Sequence, residues 1–101
     1  MNIVAVTACP TGIAHCELAA ERLRSAMPPD VEFEVEVRGA GGPKKTLEAG
    51  RIESADVAIL AADVRIDTER FADVPTFRCS TDDAIRDTEA VLRRARELAA
   101  D

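Results

Sequence analysis

The chain has 101 residues, of which 47% are hydrophobic and only 3% aromatic, and its formal net charge is −6. This length predicts one domain, residues 1–101, with a core of aliphatic side chains. The acidic balance argues against a nucleic-acid partner, because phosphate backbones require clustered Lys and Arg. No apolar run approaches the ~20 residues of a membrane helix, and no basic region of a signal peptide opens the sequence. Three cysteines cannot all pair, and their spacing fits no disulfide scaffold or common zinc motif, so we expect a reduced, cytoplasmic protein.

Four segments have the composition of β-strands. Residues 3–6 and 57–60 are continuous apolar runs, which predict strands buried on both faces of a parallel sheet. Residues 31–37 alternate apolar side chains with glutamate, which predicts an edge strand with one solvated face. A short fourth strand is expected around Phe77 and Cys79, also at an edge.

Helical signals lie between these strands. Apolar residues spaced by three or four predict a first helix over residues 13–27, and a weaker helix is expected over residues 46–54. Ser80 and Asp83 resemble a capping box, and Asp87 is expected to cap a final helix. Alternating strands and helices predict a three-layer α/β fold. Its mainly parallel, four-stranded sheet has the order 2-1-3-4, with helices on both faces.

This strand order predicts where a ligand would bind. The carboxyl end of strand 1 lies where the chain changes direction across the sheet, which is the usual ligand crevice of such folds. Cys9 stands at that end. The glycine-rich segment 39–42, in contrast, lacks the Gly-Lys-Ser/Thr ending of a nucleotide-binding loop and is expected to be a flexible connector.

Cys9 stands between the first strand and the first helix. The unpaired amides and the dipole of a helix N-terminus stabilise a thiolate and can hold a phosphate attached to it. Gly12 lets the backbone approach an anion closely, although Pro10 has no amide hydrogen to donate. We therefore predict that Cys9 is a nucleophile. The predicted phosphate-binding loop consists of Pro10, Thr11, Gly12, Ile13, Ala14 and His15.

The spacing of this loop resembles the Cys-x5-Arg loop of low-molecular-weight tyrosine phosphatases, but the sixth residue after Cys9 is His15. An arginine there would stabilise the transition state for transfer to water. Without it, we expect a phosphocysteine to persist until another acceptor arrives. His15 is expected to act either as a proton partner or phosphate donor, or as a helix residue that fixes the loop.

The segment from Val4 to His15 resembles the phosphorylation loop of the fructose-type enzyme IIB component of the bacterial sugar phosphotransferase system. The resemblance continues at residues 19–21, 61–67, 69–71 and 84–85. It implies that Cys9 takes a phosphoryl group from a phosphohistidine of enzyme IIA. It also implies transfer to fructose held by the membrane enzyme IIC, which gives fructose 1-phosphate. We expect no bound cofactor, and peripheral association with the membrane through enzyme IIC.

Two residues depart from the family pattern. Cys16 stands where threonine is usual, and Arg38 stands where glutamine is common. Because Cys16 lies on the apolar stripe of the first helix, core packing is favoured over a role as redox partner of Cys9. Cys79 is also expected in the core. A metal site formed by Cys9, His15 and Cys16 is not expected, because no fourth ligand has suitable spacing.

Charged residues that follow the second buried strand are expected at the same edge of the sheet as Cys9. They form either a docking rim for enzyme IIA or enzyme IIC, or a solvated loop with local ion pairs. The candidates for partner docking are Arg38, Asp63, Arg65, Asp67 and Arg70.

Three other functions compete with the phosphocarrier. A hydrolase related to the low-molecular-weight phosphatases would turn over an aryl phosphate without a partner protein. A non-enzymatic regulator would bind phosphate or sulfate without forming a covalent adduct on sulfur. A thiol-redox protein that uses Cys9 and Cys16 would form a readily reversible disulfide.

Overall fold

The computed structural model describes residues 1–9, 14–39, 42–43, 46–66 and 68–100. The strands are β1 (Asn2–Ala8), β2 (Glu32–Gly39), β3 (Gly42–Pro43), β4 (Val57–Ala62) and β5 (Thr76–Cys79). The helices are α1 (Ala14–Ala26), α2 (Ala49–Ser54), α3 (Thr81–Arg86) and α4 (Thr88–Ala100), and a 3₁₀ turn spans Glu69–Phe71. Strands and helices thus follow one another in the predicted alternation.

The strands form a single sheet in the order β3-β2-β1-β4-β5. β1 pairs in parallel with β2 and β4, and β5 pairs in parallel with β4. The predicted arrangement of four parallel strands, with strand 1 inside and the third predicted strand beside it, is confirmed. The central position of β1 places its carboxyl end between the ends of β2 and β4.

The two end residues of the segment 39–42, predicted as a flexible connector, belong to strands instead, and residues 40 and 41 lie outside the described residues. Gly39 ends β2 and Gly42 begins β3, and these two residues pair antiparallel, as do Arg38 and Pro43. The outer edge of β2 offers unpaired main-chain groups, which a returning segment can pair. Proline is tolerated there because an edge strand needs fewer ladder donors.

Two hydrophobic clusters lie on opposite faces of the sheet. Ile3 packs on one face with Leu23 of α1 and with residues of α4. Val4, the next residue of β1, packs on the other face with Ile52 of α2 and with Phe71 of the 3₁₀ turn. Because successive side chains of a strand point to opposite faces, β1 contributes residues to both clusters. The predicted helix layers on both faces of the sheet are confirmed.

Local signals place the last two helices. The Ser80 hydroxyl accepts a hydrogen bond from the Asp83 amide at 3.0 Å, and the Asp83 carboxylate accepts one from the Ser80 amide at 3.3 Å. This is the predicted capping box of α3. The Asp87 carbonyl accepts a hydrogen bond from the Val91 amide at 3.0 Å in the first turn of α4. Among the described residues, none of the helices has the length and apolar character needed to cross a membrane.

Candidate functional site

The carboxyl end of β1 is held from both sides by main-chain hydrogen bonds. The Cys9 amide donates to the Arg38 carbonyl of β2 at 3.2 Å, and the Asp63 amide, just after β4, donates to the Ala8 carbonyl at 2.9 Å. Cys9 therefore lies between the end of β1 and the start of α1, in the middle of the sheet edge. This position agrees with the sequence pattern, whereas the role of Cys9 as nucleophile stays a prediction.

Cys9 forms a disulfide with Cys16 in the first turn of α1, and the two Cα atoms are 6.0 Å apart. The exposed fraction is 5% for Cys9 and 0% for Cys16. Cys16 is thus buried, as its place on the apolar stripe predicts, but it is also bonded to Cys9. Core packing of Cys16 is therefore confirmed, whereas the expectation of reduced cysteines was wrong for Cys9 and Cys16.

The Arg38 carbonyl oxygen contacts both cysteines. Besides accepting the Cys9 amide, it lies 3.5 Å from the Cys16 sulfur. A reduced Cys16 thiol would have its hydrogen-bond acceptor in place at this distance. The end of β2 therefore contacts both the main chain of Cys9 and the side chain of Cys16.

Most of the predicted phosphate-binding loop lies outside the described residues, namely Pro10, Thr11, Gly12 and Ile13. Ala14 is the first residue of α1, and His15 is the second. The strand-to-helix transition therefore falls where the sequence predicts it. The use of the loop amides to hold phosphate oxygens stays a prediction.

His15 links the start of α1 to α3. Its Nε2 lies 3.2 Å from Oδ1 of Asp82. The side chains are 51% and 59% exposed, respectively. The contact joins α1 to α3, and the half-exposed ring remains accessible to a partner, whereas both predicted roles of His15 stay predictions.

Glu36 is a buried carboxylate that the alternating pattern of β2 did not predict. It was expected on a solvated face, yet its side chain is 0% exposed, whereas those of Glu34 and Glu32 are 37% and 69% exposed. Arg70 Nη1 and Nη2 donate to its two oxygens at 3.0 and 3.1 Å. The Leu47 amide donates at 2.9 Å, and Arg38 Nε lies 3.0 Å away. The carboxylate is therefore fully paired, which makes its burial tolerable.

We refer to Glu36, Arg38 and Arg70 as the Glu36 cluster. Burial alone would raise the pKa of Glu36. The hydrogen bonds from Arg70 and the Leu47 amide, together with the charges of Arg70 and Arg38, outweigh that effect and hold the pKa below its usual range. Glu36 is thus an anion in the folded protein at neutral pH, and it fixes two arginines beside the end of β1.

The residues predicted for partner docking have different surroundings. Arg38 and Arg70 belong to the Glu36 cluster and keep 32% and 28% of their side chains exposed. Asp63 accepts hydrogen bonds from the amide of Thr81, at 3.0 Å, and from its hydroxyl, which joins the end of β4 to the start of α3. Arg65 is exposed, and Asp67 lies outside the described residues. Partner docking by these residues stays a prediction.

Sequence reasoning missed Glu36, Thr81 and Asp82. One available signal was the presence of two arginines, Arg38 and Arg70, predicted at the same edge of the sheet. Two neighbouring arginines are stabilised by a carboxylate between them, and Glu36 is the glutamate of β2 nearest to that edge. Thr81 and Asp82 carried no comparable signal, because nothing in the sequence pattern pairs them with their partners Asp63 and His15.

Cys79 ends β5 at the same edge of the sheet and is a half-buried free thiol. Burial, followed by the negative charges of Asp83 and Asp63, raises the pKa of Cys79 to about 12. The protonated thiol therefore predominates at neutral pH, and Cys79 is a poor nucleophile.

The sequence matches, over residues 4–94, the family described as "PTS system, Lactose/Cellobiose specific IIB subunit". It is 40% identical over 95 residues to the fructose-like EIIB component 2 of Escherichia coli, covering 92% of this chain and 90% of that protein. It is 39% identical to the fructose-specific EIIB component of Haloferax volcanii, covering 98% of this chain and 63% of that protein.

Longer relatives carry further components. The chain spans 17% of the fructose-specific EIIB'BC component of Rhodobacter capsulatus and 15% of the fructose-specific EIIABC component of Bacillus subtilis. The fold is similar to the crystal structure of a predicted fructose-specific IIB from Escherichia coli, with a TM-score of 0.92 and 33% identity. That superposition covers 99% of this chain and 90% of the other.

Proposed function

This chain belongs to the IIB family of the phosphotransferase system, and we propose that it is a phosphotransferase that carries a phosphoryl group on Cys9. The observation that carries this proposal is the position of Cys9 after the central strand β1 and before α1, at the crevice between the ends of β2 and β4. Parallel α/β sheets place their ligand sites at this point. The fructose-specific and fructose-like names of the relatives support fructose as the sugar.

The transfer has two steps. With Cys9 reduced, its thiolate attacks the phosphorus of a phosphohistidine on enzyme IIA, the S–P bond forms, and the P–N bond breaks as the histidine leaves as imidazole, having taken up one proton. A hydroxyl of fructose then attacks the same phosphorus and releases its proton, the S–P bond breaks, and the Cys9 thiolate and fructose 1-phosphate are formed. Such a transfer demands mainly positioning and electrostatic stabilisation, which the amides of the loop that follows Cys9 would provide.

The partners follow from this chemistry. Enzyme IIA donates the phosphoryl group, and the membrane enzyme IIC holds the sugar, so the chain acts in the cytoplasm at the membrane surface. The fused EIIB'BC and EIIABC relatives support this partnership, because their names combine B components with C, or with A and C. Arg38, Arg70 and the exposed Arg65 are the proposed docking residues on this chain, together with Asp63 and Asp67.

The test uses fully reduced protein and phosphorylated fructose-type enzyme IIA. Wild type and the matched control Cys79→Ser should each gain one phosphoryl group by intact mass, whereas Cys9→Ser should gain none. Peptide mapping should place the group on Cys9. Undiminished labelling of Cys9→Ser, or a phosphoryl group mapped to His15, would contradict the assignment.

The Cys9–Cys16 disulfide favours one other candidate, a thiol-redox protein. That function requires both cysteines for activity and no phosphorylated partner. Reduced Cys16→Ser separates the two: a phosphocarrier keeps its acceptance of phosphate, because the nucleophile is intact. A thiol-redox protein would instead lose its only activity with this variant.

A further inference from the structure

The same sulfur atom that the proposed function assigns to phosphate is, in the structure, bonded to Cys16. A sulfur in a disulfide has no thiolate to offer a phosphorus atom. Conversely, a phosphorylated Cys9 has no thiol with which to form a disulfide. The two bonds to Cys9 therefore exclude each other.

The surroundings of the two cysteines accommodate both states. The Cα separation of 6.0 Å lies within the usual range for disulfides, so the bond requires no movement of the backbone. When the bond is reduced, the Arg38 carbonyl 3.5 Å from the Cys16 sulfur can accept a hydrogen bond from that thiol. The reduced Cys16 thiol therefore keeps a main-chain partner in the same place that it occupies in the disulfide.

We propose that Cys9 and Cys16 form a reversible redox switch that turns off the phosphoryl acceptor when oxidised. This inference rests on the proposed function of Cys9. The oxidant is a small disulfide such as oxidised glutathione. One cysteine thiolate attacks it and releases one thiol, and the second cysteine then attacks the mixed disulfide and releases another. Two cysteine thiols are thereby oxidised to one disulfide, while one small disulfide is reduced to two thiols.

Cys79 is the natural control for this switch. It lies outside the disulfide, and its pKa of about 12 keeps it protonated at neutral pH. Cys16→Ser is the matched test variant, because the serine hydroxyl can also donate to the Arg38 carbonyl but cannot bond to Cys9. Cys16→Ala serves the same purpose if the serine variant does not fold.

The experiment exposes wild type, Cys16→Ser and Cys79→Ser to oxidised glutathione and then measures acceptance from phosphorylated enzyme IIA. Wild type and Cys79→Ser should lose acceptance to the background level of Cys9→Ser, and a dithiol reductant should restore it fully. Peptide mapping should identify the Cys9–Cys16 bond. Cys16→Ser cannot form this bond, so any loss of its acceptance should accompany a mapped glutathione adduct on Cys9 and stay smaller than that of wild type.

A second measurement tests whether a phosphoryl group on Cys9 prevents formation of the disulfide. Wild type that carries a phosphoryl group on Cys9 should form no internal disulfide in oxidised glutathione until the group is removed. Undiminished acceptance by wild type with a mapped Cys9–Cys16 bond would overturn the switch, as would failure of this bond to form. If reduced wild type accepts no phosphate although the bond forms and breaks normally, it is the proposed function that fails.

Discussion

Cys9 and Cys79 follow or end parallel strands at the same edge of the sheet, yet their surroundings differ. Cys9 follows the central strand β1, next to the start of α1 and bonded to Cys16. Cys79 ends the edge strand β5, near the carboxylates of Asp63 and Asp83, which add to the effect of burial in raising its pKa to about 12. Position at the crevice edge therefore does not by itself make a nucleophile. At Cys79, burial and the two nearby carboxylates together keep the thiol protonated.

The largest expected effect is a difference in thiol reactivity. In reduced Cys16→Ser at neutral pH, iodoacetamide should alkylate Cys9 about fiftyfold to a hundredfold faster than Cys79. The reason is that a pKa of about 12 leaves far less thiolate at Cys79 than the ordinary value of about 8.5 would, although the higher intrinsic nucleophilicity of a basic thiolate offsets part of this difference.

The measurement is the rate of modification at each cysteine, followed by peptide mapping. Asp83→Asn is the matched variant, because it removes one of the charges that raise the pKa of Cys79 and should speed its alkylation. Equal rates at Cys9 and Cys79 in the parent protein would show that the local charges do not distinguish the two sulfurs.

A second difference is between the buried Glu36 and the partly exposed Glu34 of β2. The carbonyl of Arg38 contacts Cys9 and Cys16, and the side chain of Arg38 is held by Glu36. We expect Glu36→Gln to lower the free energy of unfolding by about 2–3 kcal/mol. Loss of a buried, charged hydrogen-bond partner is costly, but the partly exposed arginines can recover some hydration. Urea denaturation measures this change.

Glu34→Gln is the matched control on the same strand. Its carboxylate is 37% exposed and lies 3.3 Å from Arg51. An ion pair of this exposure is worth about 0–1 kcal/mol, so the control should change stability by no more than that. Equal losses from the two substitutions would contradict the special role of the Glu36 cluster.

The sequence predicted the sheet better than it predicted the partners of charged groups. The runs at 3–6 and 57–60 are apolar on both faces of a strand. Such strands must lie inside a sheet that is covered on both sides, so the central strands and their parallel order could be inferred. The burial of Glu36 could not be inferred, because alternation with glutamate looks the same whether the last carboxylate is hydrated or paired. Its partner Arg70 lies 34 residues away, and only the folded chain brings the two together.

At the candidate site, too, the sequence predicted the position of a residue but not its partner. The position of Cys9 at the end of β1 follows from the local pattern, since a strand and a helix meet there. The bond to Cys16 does not follow from that pattern, because a cysteine on the apolar face of a helix can be buried without touching another sulfur. Only the folded chain shows that the two Cα atoms lie 6.0 Å apart, a separation that permits the bond.

A smaller effect is the pH dependence that Glu36 adds. Because its pKa is lower in the folded protein than in the unfolded chain, the folded state binds fewer protons at this group. Its contribution to stability is therefore fully present above the unfolded pKa of about 4.3 and is lost as the pH falls through the lower, folded pKa. One such group changes the free energy of unfolding by at most about 1.4 kcal/mol per pH unit.

Urea denaturation of wild type and Glu36→Gln between neutral and acidic pH tests this linkage. The stability difference between the two proteins should be constant near neutral pH and should shrink below about pH 4, where the unfolded carboxyl becomes protonated. A difference that grows on acidification would mean that Glu36 binds a proton more readily in the folded protein, contrary to the pairing with Arg70 and Arg38.

The smallest expected effect concerns His15 and Asp82, whose side chains are each about half exposed. We expect Asp82→Asn to change the free energy of unfolding by less than about 1 kcal/mol, because exposed ion pairs contribute little. If His15 only fixes the start of α1, His15→Asn should keep the rate of phosphoryl acceptance. If His15 is instead the proton partner of the transfer, His15→Asn should slow acceptance while Asp82→Asn leaves it nearly unchanged. Full acceptance in both variants would assign His15 to positioning alone.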